Sequence, residues 1–270
     1  CDPEMPNKAR QGRLDEIRHC IACNEGCVGP SFLAQPIACA LNYETGREQM
    51  GPVPPVEKRK RVMVIGGGAA GMEAARVAAL RGHTVDLYEK NDDLAKELEI
   101  AAKSPGRQDF AEAKRYLSFQ MKLLKINVHL GVTVTPEMVL QENPDVVIVA
   151  TGGRPFLPEI PGATPQKVVE MRQVLLEEVE TGQNVLVVDY QNHMYGLDVA
   201  DFLAEKGKRV ELITEPAFAG SGADIFTVET AYFRALSKGV MITPLTALKE
   251  VRGDTVVVYN VLTNVERPID

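Results

Sequence analysis

Val62-Met63-Val64-Ile65-Gly66-Gly67-Gly68-Ala69-Ala70-Gly71-Met72-Glu73-Ala74-Ala75 decides the fold. Four apolar residues in succession suit a strand buried on both faces. The alanine-rich stretch from Ala69 to Leu80 reads as a helix. Between them Gly66, Gly68 and Gly71 match G-x-G-x-x-G. Gly66 allows the tight turn, Gly68 lets a pyrophosphate approach the backbone, and Gly71 lets the helix pack close to the strand. The helix start at Ala69 then offers oriented N–H groups to the phosphates. Alone the hexapeptide is a weak signal, and glycines that merely turn the chain are the bland alternative. Thr84 to Glu89 reads as the next strand, and Glu89 ends it where an acid holds a ribose hydroxyl. Such an acid favours FAD, ADP or NAD over NADP, whose 2′-phosphate it repels.

C-terminal to this stretch the α/β pattern continues. Residues 109–125 predict an amphipathic helix with Phe110, Ala113, Tyr116, Leu117 and Met121 on one side. Val128 to Val132 and Val146 to Ala150 predict further buried strands. Thr151 and Gly152 follow the latter, where a crossover close to a cofactor and an ordinary turn are both consistent. A second βαβ start begins at Asn184, with a strand at Val185 to Val188, a helix at Tyr195 to Lys206 and a strand at Val210 to Thr214. Its turn reads Asp189-Tyr190-Gln191-Asn192-His193-Met194-Tyr195-Gly196, where only Gly196 remains of a glycine fingerprint. Tyr190, His193 and Met194 fill the space phosphates need, and Asp189 repels them. This is a dinucleotide fold without its dinucleotide; Glu215 reads as a surface charge and His193 as a loop or capping residue. A helix from Ile225, a strand at Val240 to Ile242 and three antiparallel strands complete the chain, the last turning at Gly253-Asp254 and Thr263-Asn264.

N-terminal to the decisive stretch lie Cys20, Cys23, Cys27 and Cys39, spaced C-x2-C-x3-C-x11-C. Four soft thiolates suit an iron–sulfur cluster, three from one tight loop turned at Gly26 and a fourth returning past Pro30 and Pro36. A structural zinc usually takes two CxxC knuckles, and here the second is a single cysteine. A disulfide pair is the third option and belongs to oxidising compartments. Cys1 is the odd cysteine and has no assigned role. His19 beside the loop either tunes a cluster or does nothing. Asn7 to Ile17 predicts a short helix leading in, and a proline-rich linker, Met50 to Val56, precedes a solvated basic run at Lys58 to Arg61.

The expected fold class is therefore α/β: two Rossmann-like βαβ domains preceded by a small loop-rich 4Fe-4S segment. The expected boundaries are 1–50 for the cluster segment, 51–165 for the FAD/ADP domain, and 166–270 for an NAD-type domain with a degenerate loop. The 270 residues carry a net charge of −7, which argues against nucleic acid as partner. No apolar run reaches membrane-span length and no signal peptide opens the chain, so a cytoplasmic location is expected, where free thiolates persist.

Pro6-Asn7-Lys8-Ala9-Arg10, the run Arg18 to Cys27 with Cys39, and Val64 to Ala75 together resemble the C-terminal half of the trimethylamine dehydrogenase / 2,4-dienoyl-CoA reductase family. The resemblance covers essentially the whole chain. It implies a preceding TIM barrel carrying FMN and the substrate site, absent from this chain, and a closing C-terminal segment, so the chain looks like a fragment of a longer protein. It places Cys20, Cys23, Cys27 and Cys39 on the cluster ligands and Gly66, Gly68, Gly71 and Glu89 on the nucleotide-binding residues; Ala69, Thr151 and Gly152 are further cofactor-binding candidates beside them. It implies an electron-transferring flavoprotein or similar acceptor as partner, the FMN-bearing barrel, and a homo-oligomer. Leu94-Ala95-Lys96-Glu97-Leu98 departs from the family's Leu-Gly-Gly-Gln loop near the flavin, which sets ADP beside FAD. The eroded second loop resembles the amine-dehydrogenase branch. An NAD(P)H-dependent enoate reductase and a purely structural nucleotide-binding module stand as alternatives.

Overall fold

A computed structural model describes residues 1–270. The cysteine segment carries two short helices, α1 (Met5–Arg10) and α2 (Val28–Phe32), with a 3-10 turn at Leu14–Glu16 where the sequence predicts continuous helix to Ile17. The chain then divides into two compact units.

The first unit comprises residues 1–22, 36–102 and 107–154. It contains β1 (Arg61–Ile65), α3 (Ala69–Leu80), β2 (Thr84–Tyr88), α4 (Lys96–Ala101), α5 (Phe110–Leu123), β3 (Asn127–His129), α6 (Pro136–Glu142) and β4 (Val146–Val149). The strands form one parallel sheet in the order β3-β2-β1-β4. Because β1 is central, Val62 and Val64 are buried, and Met72 and Ala75 of α3 and Leu117 and Met121 of α5 pack over them. On α5 the apolar face includes Gln120, while Phe110 is only half-buried at the helix start. β4 is an edge strand rather than a buried one: Val147 and Val149 are 37% and 70% exposed.

The second unit comprises residues 23–35, 103–106 and 155–270. It contains α7 (Met171–Leu175), β5 (Asn184–Asp189), α8 (Met194–Glu205), β6 (Arg209–Thr214), α9 (Ile225–Ser237) and β7 (Met241–Thr243), followed by β8 (Thr246–Arg252), β9 (Thr255–Asn260) and β10 (Glu266–Ile269). β5, β6 and β7 form a parallel sheet, and β8, β9 and β10 an antiparallel meander. Pro268 lies on β10, an edge of the meander, where its missing N–H costs no ladder bond.

α8 and α9 are tied by a buried charge. Asp201 is fully buried and accepts from Arg234 Nε at 2.8 Å and Lys238 Nζ at 2.6 Å. Removing it leaves two cations that keep only 26% and 29% of their side-chain exposure. Asp201→Ala should therefore cost about 3 kcal/mol of stability, read from denaturant unfolding. A loss below about 1 kcal/mol would show that the triad contributes little.

Candidate nucleotide site and cysteine segment

The glycine loop joins β1 to α3, and its glycines separate by what surrounds them. Gly66 has φ +113°, and a Cβ there would lie 2.2 Å from the Ala150 carbonyl oxygen. A Cβ on Gly71 would lie 1.9 Å from the Gly66 carbonyl oxygen. Both serve backbone packing. Gly68 differs. It is extended, with φ −75° and ψ 180°, caps α3 without any side-chain hydrogen bond, and has nothing within 4 Å of where a Cβ would point. Open space at the start of a twelve-residue helix is what a pyrophosphate needs. Ala69, the first helical residue, is exposed there.

Glu89 is 7% exposed and reaches back to the loop. Its Oε2 accepts the Gly67 N–H at 2.6 Å, and its Oε1 accepts the Asn91 N–H at 2.9 Å and Asn91 Nδ2 at 2.7 Å. These bonds fix the carboxylate beside the loop. Thr151 and Gly152 come next to Gly66: a Cβ on Gly66 would lie 3.2 Å from the Thr151 Cα, and Gly152 has φ +73° with open space around it.

Gly67 was not singled out by spacing, yet it too is confined, by side chains rather than backbone. A Cβ on it would meet Leu94 Cδ2 at 2.5 Å and Glu89 Cβ at 2.9 Å, and its carbonyl accepts the Ala95 N–H at 2.8 Å. Ala95 adopts φ +54°, a conformation glycine takes more readily. The segment read as a loop thus becomes the entry to α4, with Lys96 exposed at its start.

In the second unit the turn between β5 and α8 is occupied by its own acid. Asp189 is 4% exposed, and its Oδ1 accepts the N–H groups of Gln191 and Asn192, both at 3.1 Å. Oδ2 is buried with no partner. Burial pushes the carboxyl above its ordinary value, and the two amide bonds oppose that rise. Gly196 is required by the same carboxylate, since a Cβ would lie 2.7 Å from Asp189 Cβ. The expected obstruction by side-chain bulk is corrected here. Met194 is buried in the unit's interior and Tyr190 is 49% exposed, so Asp189 is the group that fills the turn. His193 sits at the N-cap position of α8 without capping it, and Glu215 is exposed as expected.

None of the five cysteines is in a disulfide. Cys20 is exposed, and Cys23, Cys27 and Cys39 are half-buried. The compact-unit division leaves Cys20 and Cys39 in the first unit and Cys23 and Cys27 in the second. Ala22 (φ +51°) and Asn24 (φ +58°) are left-handed, and the chain turns over residues 25–27, which include Gly26 as expected. The Ala22 N–H donates to Cys20 Sγ at 3.3 Å. In chemistry this donor set fits an iron–sulfur centre. No group of three or more Cys, His, Asp or Glu side chains is already arranged to hold a metal ion. No helix is long and apolar enough to cross a membrane.

Comparison with known proteins bears on this geometry. A metal reductase of Desulforamulus reducens is 40% identical over 76% of the chain, and an N,N-dimethylglycine/sarcosine dehydrogenase of Chromohalobacter salexigens is 35% identical over 95%. The chain spans 31% and 38% of the length of these two relatives. A 2-naphthoyl-CoA reductase structure superposes with a TM-score of 0.92 at 30% identity, covering 100% of this chain and 41% of that one. The model of the pyridine nucleotide-disulphide oxidoreductase family, with its FAD/NAD(P)-binding type of domain, matches residues 60–270. A glycine loop open at Gly68, a glutamate anchored beside it and a second α/β unit of the same kind are what that match leads one to expect, and the chain belongs to the pyridine nucleotide-disulphide oxidoreductase family as an oxidoreductase module.

Proposed function

We propose that this chain is the electron-transfer portion of an iron–sulfur flavoprotein of the trimethylamine dehydrogenase / 2,4-dienoyl-CoA reductase type. Residues 1–50 hold a 4Fe-4S cluster on Cys20, Cys23, Cys27 and Cys39. Residues 51–165 hold FAD or ADP, with the pyrophosphate over Gly68 and Ala69 and the ribose near Glu89. Residues 166–270 keep the nicotinamide-type fold. Bound in the cysteine segment, the cluster supplies one-electron steps between a flavin, FMN in a TIM barrel, and an acceptor such as an electron-transferring flavoprotein. The chain's own residues bind and orient: Gly68 leaves room for phosphate, Glu89 stands beside it, and Ala22 offers its N–H to the Cys20 sulfur.

The observation that carries the direction of flow is the contrast between the two turns. The first is open at Gly68, and the second is closed by Asp189. A phosphate approaching the second turn meets a buried acid and amides already in use. Electrons on this reading enter from an organic substrate, and the relative named an N,N-dimethylglycine/sarcosine dehydrogenase supports an N-methylated amine as its class. The reductase names among the relatives and structures support the second reading, an NAD(P)H-dependent reductase of unsaturated acyl substrates.

Stopped-flow flavin reduction of the full-length enzyme separates the two. A methylated amine should reduce the flavin fast and saturably, and NADH and NADPH should do so at least a hundredfold more slowly. Fast nicotinamide reduction that disappears on mutating residues 189–196 would give the lead to the reductase reading. A nucleotide-binding structural module without redox function would show neither.

A further inference from the structure

The second unit keeps a dinucleotide-type turn that its own carboxylate fills, and the contacts inside that unit show what the turn does hold. Residues 23–35, which carry Cys23 and Cys27, pack within the same compact unit. Glu25 Oε1 lies 3.2 Å from His193 Nε2. Asn24 Nδ2 donates to Thr227 Oγ1 at 3.1 Å. The rings of Phe32 and Phe226 pack at 4.7 Å with their planes tilted by 56°. Gly29 passes so close to α9's N-cap residue that a Cβ would lie 3.0 Å from Asp224 Cβ. These partners come from only two places, the turn after β5 and the start of α9.

That turn is stiff. Asp189 accepts two of its amides, the Asn192 carbonyl accepts the Gly222 N–H at 2.7 Å, and Asn192 Oδ1 accepts from the Thr214 hydroxyl at 3.4 Å. The amides of Gln191 and Asn192 are therefore already in use, and the same bonds hold the turn that presents His193.

We infer that the turn after β5, through His193, and the start of α9 together clamp the cysteine-bearing peptide 23–35. Asp189 supplies the anion internally and fixes the turn. His193 is a positioning residue that holds Glu25, midway between Cys23 and Cys27. The unit's ligand is therefore a segment of its own chain rather than a nicotinamide. The purpose of the clamp rests on the cluster reading above, but its existence does not.

Hydrogen–deuterium exchange on the full-length protein tests it, beside the rate of iron release to a chelator. His193→Ala should speed exchange of the 23–35 amides about tenfold and leave the β5–β7 sheet unchanged, because exchange follows the local opening equilibrium. His193→Gln should restore protection, since its amide nitrogen can donate to Glu25. Glu25→Ala makes the same test from an exposed position, should His193→Ala fail to fold. Iron release should accelerate in the variants that open the segment. Protein without iron whose 23–35 exchange still responds would sink the cluster reading and leave the clamp. Iron-loaded protein whose exchange and iron release are the same in every variant would overturn the clamp. So would NADH protecting the 189–196 amides.

Discussion

Gly68→Val should yield a folded protein that no longer binds adenine nucleotides, while Gly71→Ala should fail to fold. The two positions are three residues apart in one motif, and their surroundings make them opposites. At Gly71 a Cβ would lie 1.9 Å from a backbone oxygen, so strand and helix must separate to admit it. Overpacking against backbone in a core costs about 3 kcal/mol or more. At Gly68 the backbone is extended with φ −75°, which valine adopts freely, and the Cβ points into open space. The branched side chain then stands where a pyrophosphate would lie. Calorimetry with ADP and FAD should show affinity falling at least a hundredfold, about 2.7 kcal/mol, with thermal stability retained. With Lys96 exposed at the start of α4, ADP should bind at least as well as FAD. Undiminished ADP binding by Gly68→Val would remove the pyrophosphate from this loop.

The second large effect is at Cys27. This residue is the N-cap of α2, and α2 carries Phe32 onto Phe226. In the proposed cluster Cys27 is one of four thiolate ligands, and its loss should strip the metal, because metal binding and local folding are coupled. Anaerobically prepared Cys27→Ser should lose the brown cluster absorbance, with iron near zero and the first 50 residues open to protease. Retained iron at the wild-type level would remove Cys27 from the ligand set. An ordered, protease-resistant segment without iron would show that the segment folds on protein contacts alone.

The α/β framework could be read from residues because its signals are strong and local. The all-apolar run at Val62 to Ile65, the glycines after it and the stripe on α5 each mark an element by period or punctuation. Three helices were harder to see. α2 contains Gly29 and Pro30, both poor helix residues, and it exists because Phe32 finds Phe226 across the chain. α4 begins at Ala95 in a left-handed conformation that no residue there announces. α6 did carry a signal, Thr135-Pro136-Glu137, with the Thr135 hydroxyl accepting the Met138 N–H and proline at the first position. The exposed edge of β4 could not be told from a buried strand, since Val-Val-Ile-Val reads the same in either place.

At the site, the motif residues and Glu89 followed from spacing, but their separate tasks did not. That Gly68 is open while Gly66 and Gly71 are enclosed depends on Ala150 and on the loop's own carbonyl, which lie apart from or across the turn. The closure of Gly67 by Leu94 is a tertiary contact with no sequence mark. In the second turn the identity of Asp189 was plain, yet its bonds to the amides of Gln191 and Asn192 reverse the picture from bulk to internal charge. Glu25 meeting His193 joins residues far apart in the chain, and nothing in either neighbourhood predicts it.

The cysteine segment is proposed to hold an iron–sulfur cluster, and every electron-transfer step above depends on it. The direct measurement is metal and acid-labile sulfide analysis of anaerobically purified protein, read together with the EPR spectrum after dithionite reduction. About four irons and four sulfides per chain, with a fast-relaxing signal of a reduced cubane, is the predicted result. Stoichiometric zinc without labile sulfide would contradict it.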